Sequence, residues 1–126
     1  MSIIKHDFEK MNITKIKQTK NRQKLTVITA YDALFSNLFS KSADMILVGD
    51  SLNMSFMGQS DTLSATLDQM IYHTKAVCNG AKDAFVITDM PFATYINKDE
   101  ALKNCARVYQ ETLASAVKIE GGEEIA

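Results

Sequence analysis

Three short apolar runs of the chain each end at a carboxylate. The runs are residues 45–49, 84–88 and 116–119, and the carboxylates that follow them are Asp50, Asp89 and Glu120. If the runs are neighbouring parallel strands, the three acids converge on one edge of one sheet. Two ionised carboxylates about 4 Å apart repel each other by roughly 4 kcal/mol at an effective dielectric constant near 20. A divalent cation or a proton must offset that repulsion, and three hard oxygen ligands favour Mg²⁺ over zinc.

Other polar groups flank these acids. Ser51 directly follows Asp50, and Lys118 lies two residues before Glu120. Because side chains alternate along a strand, Lys118 and Glu120 are predicted to share one face. A lysine inside a strand is costly unless paired, so Lys118 is expected to form an ion pair or to bind a substrate carboxylate. For any single acid the ordinary alternative stays open, in which it caps a turn or a helix.

Composition limits the class of protein. The chain has 126 residues, of which 46% are hydrophobic and 23% charged, as in a globular domain. Its net charge of −1 provides no field that would attract nucleic acid or an anionic membrane. No apolar stretch approaches the roughly 20 residues of a membrane span, and the N-terminus lacks the apolar core of a signal peptide. These features predict a cytoplasmic protein without nucleic-acid or membrane partners.

The elements that must position the acids alternate between short β-rich runs and stretches of helical periodicity. Residues 1–24 are predicted to form a polar, basic segment with a short helix from about Thr14. Strands are predicted at residues 25–30, 45–48, 84–88 and 117–120, and helices at residues 33–42, at residues 66–80 and from Asn97 onward. Each gap between strands holds a helix, which predicts parallel pairing.

Four such βα units are half of an eight-unit barrel, which typically needs about 250 residues. Residues 25–126 are therefore expected to be the first half of a barrel domain, and the chain is expected to be truncated. The acidic residues 123–126 are predicted to begin a further helix. The long connection over residues 49–65 is predicted to be functional.

Helical spacing also predicts which residues of the two long helices face the core. For the first, they are Leu67, Met70, Ile71, Thr74, Val77 and Cys78. For the second, they are Leu102, Cys105, Ala106, Tyr109, Leu113 and Ala116. His73 lies on the first of these helices, and we expect it to be a polar helix residue with one hydrogen-bond partner rather than a catalytic group.

Five motifs, in order and at matching spacings, resemble the N-terminal half of the ketopantoate hydroxymethyltransferase family (3-methyl-2-oxobutanoate hydroxymethyltransferases). The motifs are Thr29-Ala30-Tyr31-Asp32, Val48-Gly49-Asp50-Ser51-Leu52, Tyr72-His73-Thr74, Asp89-Met90-Pro91-Phe92 and Lys118-Ile119-Glu120-Gly121-Gly122-Glu123. The resemblance runs from about Lys24 to the last residue and implies a (β/α)₈ TIM barrel.

The resemblance also implies a reaction and a set of site residues. Mg²⁺ would be bound by Asp50, Asp89 and, directly or through water, Glu120, and an α-keto acid would chelate the metal. Asp50, Asp89, Ser51 and Lys118 would contact the substrate. The reaction would transfer a one-carbon unit from 5,10-methylenetetrahydrofolate to 3-methyl-2-oxobutanoate, giving 2-dehydropantoate in pantothenate biosynthesis. A homo-oligomer is the expected assembly.

Some features depart from the family or are missing. Asn53, Gln59 and Ser64 replace the glycine, histidine and proline common there, which leaves the long loop least predictable. The general base of the family is a glutamate of the second half, so no catalytic residue can be assigned in this chain. The chain alone is therefore expected to be inactive.

Two alternative classes share part of this pattern. A magnesium-dependent barrel lyase of the isocitrate lyase or phosphoenolpyruvate mutase type would also bring an α-keto acid to acidic strand ends, but it depends on motifs such as a catalytic cysteine-containing loop, which residues 1–126 do not show and which could lie beyond Ala126. A receiver-like phosphoacceptor domain would need an adjacent acidic pair after its first strand. Residues 29–32 do not supply that pair.

Overall fold

The computed structural model describes residues 10–123, in which helices alternate with the strands of one parallel sheet. In chain order the elements are α1 (Ile13–Gln18), β1 (Val27–Thr29), α2 (Ala33–Phe39), β2 (Met45–Val48), α3 (Leu52–Ser55), α4 (Leu67–Gly80), β3 (Phe85–Asp89), α5 (Lys98–Glu111) and β4 (Ala116–Lys118). The four strands pair in the order β1-β2-β3-β4. A doubly wound sheet would place its first strand between later ones, so this sequential order fits a barrel and does not fit a receiver-like domain.

Strand register determines which side chains share a face of the sheet. Asp89 is paired with Lys118 across β3 and β4, and Thr88 with Val117. Because neighbours in register point to the same side, Asp89 and Lys118 project together. The intervening positions face the helices: Val48 and Val86 are buried in one cluster with Met70 and Val77 of α4. Asp89 and Lys118 thus lie on the face opposite the helices, which is the inner face of a barrel.

Helix α4 lies at the centre of the core. Its buried residues are Leu67, Met70, Ile71, Thr74, Val77 and Cys78, which confirms the predicted stripe. The capping box at its start is also present, since the side chain of Thr66 accepts from the backbone of Gln69 and the side chain of Gln69 accepts from the backbone of Thr66. The apolar spacing, the capping box and the observed burial therefore all agree on the position of α4, the helix that carries His73.

Strand bounds and one short helix differ from prediction. β1 covers Val27–Thr29 rather than residues 25–30, and β4 covers Ala116–Lys118 rather than residues 117–120. Glu120 therefore lies two residues beyond its strand. The single turn α3, Leu52–Ser55, falls inside the predicted loop, because a helix of four residues is too short to display an apolar period.

The predicted inner face of α5 is wrong in part. Val108, which was not predicted to face inward, is fully buried, whereas Leu102 and Tyr109 are 61% and 51% exposed. Leu113 and Ala116 follow the end of the helix at Glu111. Because the buried side of α5 is partly polar, the spacing of apolar residues does not reveal which side of the helix is buried. Asn104, which is half-buried, donates to the carbonyl of Thr94 at 2.7 Å, and Thr112, the first residue after the helix, donates to that of Val108 at 2.6 Å.

Two further predictions from the sequence concern a helix over residues 123–126 and the absence of a membrane-spanning segment. The helix predicted over residues 123–126 lies outside the described residues except for Glu123. Within residues 10–123, none of the helices has the length and apolarity needed to span a membrane.

Candidate active site

Lys118 joins two of the predicted acids at the carboxyl ends of β3 and β4. Its Nζ donates to Oδ1 of Asp89 at 2.9 Å and to Oε1 of Glu120. The prediction that Lys118 is ion-paired and shares a face with Glu120 is confirmed. Burial lowers the pKa of Lys118, but the hydrogen bonds and negative charges of Glu120 and Asp89 outweigh this and raise it to about 12. The same contact lowers the pKa of Glu120. Lys118 is thus a fixed positive charge at neutral pH.

Asp50 lies beside Asp89 at the neighbouring strand end. The backbone N–H of Asp50 donates to Oδ2 of Asp89 at 3.2 Å, and Asp89 is 7% exposed. Gly49 leaves room for the side chain of Ser51, because a Cβ there would lie 3.0 Å from its Oγ, whereas the 3.6 Å to Oδ2 of Asp89 would be an ordinary contact. Burial and the charge of Asp89 raise the pKa of Asp50, and a hydrogen bond from Thr62 opposes that rise.

The donor chemistry of Asp50 and Asp89 fits Mg²⁺. This ion is commonly held by one or two carboxylates, with water and substrate oxygens completing an octahedron. Burial is the largest cause of the raised pKa of Asp50 and the charge of Asp89 is the next, and a bound cation would offset both. Glu120 is separated from them by the ammonium of Lys118. Among residues 10–123, no three His, Cys, Asp or Glu side chains are grouped so that they could hold one metal ion.

Ser51 is connected to two residues to which the sequence assigned no role in the site. Its Oγ lies 2.7 Å from the hydroxyl of Tyr31, at the end of β1. The main-chain carbonyl of Tyr31 is in turn 2.7 Å from Nδ1 of His73 on α4, which confirms that His73 has a hydrogen-bond partner. The side chain of Asp32, next in the chain, caps α2 by accepting from the backbone of Phe35 at 2.8 Å. The only sequence signal for Tyr31 was its place in the first motif.

The long loop after β2 folds back onto the site. Asn53 is 2% exposed, and its amide donates to the carbonyl of Asp61 (2.8 Å) and to Oγ of Ser64 (2.9 Å). Two of the three residues that depart from the family pattern, Asn53 and Ser64, therefore contact each other. Between them in the loop, the side chain of Thr62 lowers the pKa of Asp50. The loop thus contributes to the surroundings of Asp50.

Comparison with known sequences identifies the family. The chain matches the family described as ketopantoate hydroxymethyltransferase over residues 10–126. It belongs to that family. Over 124 residues it is 79% identical to the 3-methyl-2-oxobutanoate hydroxymethyltransferase of Aliarcobacter butzleri, covering 98% of this chain and 46% of that protein. The protein of the same name from Sulfurimonas denitrificans is 66% identical over 116 residues, which cover 92% of this chain and 44% of that protein. The chain thus spans about half the length of the curated relatives that it matches.

Comparison with solved structures concerns the fold. A triclinic crystal structure of 2,3-dimethylmalate lyase, a PEP mutase/isocitrate lyase superfamily member, matches with a TM-score of 0.63 and 21% identity, over 90% of this chain and 40% of that one. The trigonal form matches with a TM-score of 0.60 and 20% identity, over 82% and 36% of the two chains. At this identity the likeness is one of architecture. It confirms the predicted fold class, a (β/α)₈ barrel of which the chain supplies an N-terminal helix and about four βα units. The described residues contain four strands and the helices that follow the first three.

Proposed function

We propose that these βα units form the acidic half of the active site of a hydroxymethyltransferase. The enzyme would transfer the one-carbon unit of 5,10-methylenetetrahydrofolate to 3-methyl-2-oxobutanoate, giving 2-dehydropantoate and tetrahydrofolate in pantothenate biosynthesis. Membership of the family supports this activity. The structural observation on which the proposal depends is that Lys118 and Asp50 both contact Asp89 at one rim of the sheet.

In this proposal Asp50 and Asp89 hold Mg²⁺, and Glu120, which the ammonium of Lys118 separates from them, joins the site through water. The metal, when bound, polarises the keto oxygen of the substrate and stabilises the negative charge that develops as C3 loses its proton. Asp50 serves as a ligand in its ionised form, and the hydrogen bond from Thr62 favours that form.

The substrate carboxylate is assigned to Lys118 and Ser51. Since the pKa of Lys118 is raised to about 12, its ammonium stays charged and can attract the carboxylate without acting as a base. The hydroxyl of Ser51, which follows Asp50, can donate a further hydrogen bond and fix the orientation of the acid. Asp50, Asp89 and Glu120 already have other roles, so the proton at C3 is assigned to a base outside the described residues.

The test uses a chimera in which this chain replaces the corresponding part of the Aliarcobacter butzleri relative. In D₂O with Mg²⁺, the C3 hydrogen of 3-methyl-2-oxobutanoate should exchange, as followed by proton NMR. Asp50→Asn and Asp89→Asn should each slow this exchange by about 100-fold or more, because each removes a ligand of the cation that would stabilise the developing anion.

Asp99→Asn, an exposed acid in the first turn of α5, is the matched control and should exchange at the parent rate. Undiminished exchange in the Asp50 and Asp89 variants would contradict the metal assignment. A chimera that exchanges the hydrogen but forms no 2-dehydropantoate from the folate donor would contradict the proposed transfer.

A further inference from the structure

Two of the motifs that resemble the family meet beside Ser51, although the proposed function uses neither. Tyr31 belongs to the motif that ends β1, and His73 belongs to the motif on α4. Nδ1 of His73 is 2.7 Å from the carbonyl of Tyr31, and the hydroxyl of Tyr31 is 2.7 Å from Oγ of Ser51. The side chain of His73 on α4 thus contacts the backbone of Tyr31, which lies just after β1. The side chain of Tyr31 in turn contacts Ser51, the residue that follows Asp50.

We propose that Tyr31 is a positioning residue, which orients the hydroxyl of Ser51 toward an oxygen of the substrate carboxylate, and that His73 holds Tyr31 in place. This inference rests on the proposed function, because it takes Ser51 as a substrate contact. It adds a role for two residues that do not themselves touch the substrate.

The direction of each hydrogen bond follows from the number of hydrogens available. A hydroxyl carries one hydrogen, and a carboxylate oxygen can only accept. If Ser51 donates its hydrogen to the substrate, it can only accept from Tyr31, so the hydroxyl of Tyr31 must donate. At the other end a carbonyl oxygen can only accept, so Nδ1 of His73 carries the hydrogen. In the complex with substrate, this pattern leaves the hydrogen of Ser51 available for the substrate carboxylate.

The ring of Tyr31 is fixed separately from its hydroxyl. Phe56 contacts it edge to face, with ring centroids 5.2 Å apart and planes at 73°. The ring of Phe56 also lies 5.4 Å from that of His73. A Tyr31→Phe substitution retains these ring contacts and removes only the hydroxyl, so it isolates the hydrogen bond to Ser51.

The experiment is a double-mutant cycle in the chimera described above, with Tyr31→Phe, Ser51→Ala and the two combined. Tyr31→Phe should raise KM for 3-methyl-2-oxobutanoate about five- to tenfold, the loss of one hydrogen bond, and leave kcat within about twofold. Calorimetry should show the same rise in Kd for the keto acid alone. In a protein that already carries Ser51→Ala, adding Tyr31→Phe should not raise KM further, because Tyr31 acts only through Ser51.

Tyr72→Phe is the matched control, since Tyr72 is 70% exposed and its ring also contacts His73, yet it lies outside the hydrogen-bonded series. It should leave KM unchanged. His73→Leu should raise KM in the same direction as Tyr31→Phe. His73→Gln, whose amide can still donate to Tyr31, should restore part of the loss.

Each other outcome overturns the inference. Unchanged KM in Tyr31→Phe, additive effects with Ser51→Ala, or a lower melting temperature without a change in KM would each show that Tyr31 does not position Ser51. Additive effects in an active chimera contradict this inference alone. An inactive chimera contradicts the proposed function and removes the basis of the inference with it.

Discussion

Gly80 lies where the last turn of α4 meets the backbone of α2. A Cβ at this position would lie 2.1 Å from the carbonyl oxygen of Ala33 and 2.6 Å from its Cα. Ser36, which is fully buried, donates across the same junction to the carbonyl of Val77 at 3.0 Å. The sequence predicted only that the helix over residues 66–80 ends at Gly80, whereas the structure gives this glycine a packing role.

We therefore expect Gly80→Ala to lower the free energy of unfolding by about 2 kcal/mol. Alanine is the better helix former by up to about 1 kcal/mol, but backbone atoms of α2 must move to admit the methyl group, and such overpacking costs about 1 to 3 kcal/mol or more. Urea unfolding of the chain measures the difference. Gly122→Ala, where an added Cβ meets nothing within 4 Å, is the control. Equal stability of the two variants would contradict the tight junction.

The residues of the site were predictable to different extents. Asp50, Asp89 and Glu120 could be placed at one edge because each follows an apolar run and parallel strands end at one edge, and Lys118 could be placed near them because it lies two residues before Glu120. The bond between Tyr31 and Ser51 could not be predicted, since it joins positions 20 residues apart and depends on how the chain turns after β1 and β2. Nor did the sequence indicate that Lys118 lies between Asp89 and Glu120.

At the scale of elements, α4 and α5 show when the spacing of apolar residues is enough to predict the buried face of a helix. The inner face of α4 is apolar except for Thr74, so its pattern gave the correct buried stripe. Helix α5 has Asn104 on its inner side, bonded to the backbone carbonyl of Thr94. Periodicity of apolar residues cannot reveal polar groups whose partners lie elsewhere in the chain, and the predicted face of α5 was therefore rotated from the true one.

The start of α4 provides the prediction at this scale. Thr66→Ala removes the side-chain acceptor of the Gln69 N–H and should lower the free energy of unfolding by about 1 kcal/mol. Thr66→Ser keeps the hydroxyl and should stay within about 0.5 kcal/mol of the parent chain, since serine caps helices at least as well. Thermal or urea unfolding of both variants checks the result. If Thr66→Ala and Thr66→Ser unfold alike, the capping box does not stabilise the fold.

At the scale of the whole molecule, the described sheet is open at both edges. β1 and β4 each have one strand neighbour, and Val27 of β1 is 50% exposed. Several large apolar side chains of the helices and of the segment after α5 are also in water, among them Leu34 (76%), Leu102 (61%) and Leu113 (77%). In a closed barrel both edge strands would gain a partner, and the helices beside them would gain neighbours. The described residues thus supply the acidic rim of a barrel but not its full circumference.

The 126-residue chain alone is therefore expected to give no hydroxymethyl transfer. The acids of its described rim are assigned to a metal and to Lys118, so none is left to remove the proton at C3, and general bases typically contribute about 10² to 10⁴ in rate. The assay combines the chain with Mg²⁺, 3-methyl-2-oxobutanoate and 5,10-methylenetetrahydrofolate, and detects 2-dehydropantoate by mass spectrometry. The chimera serves as the positive control under the same conditions. Product from the chain alone would mean that the base lies within these residues, and Asp50, Asp89 and Glu120 would then have to be tested for that role.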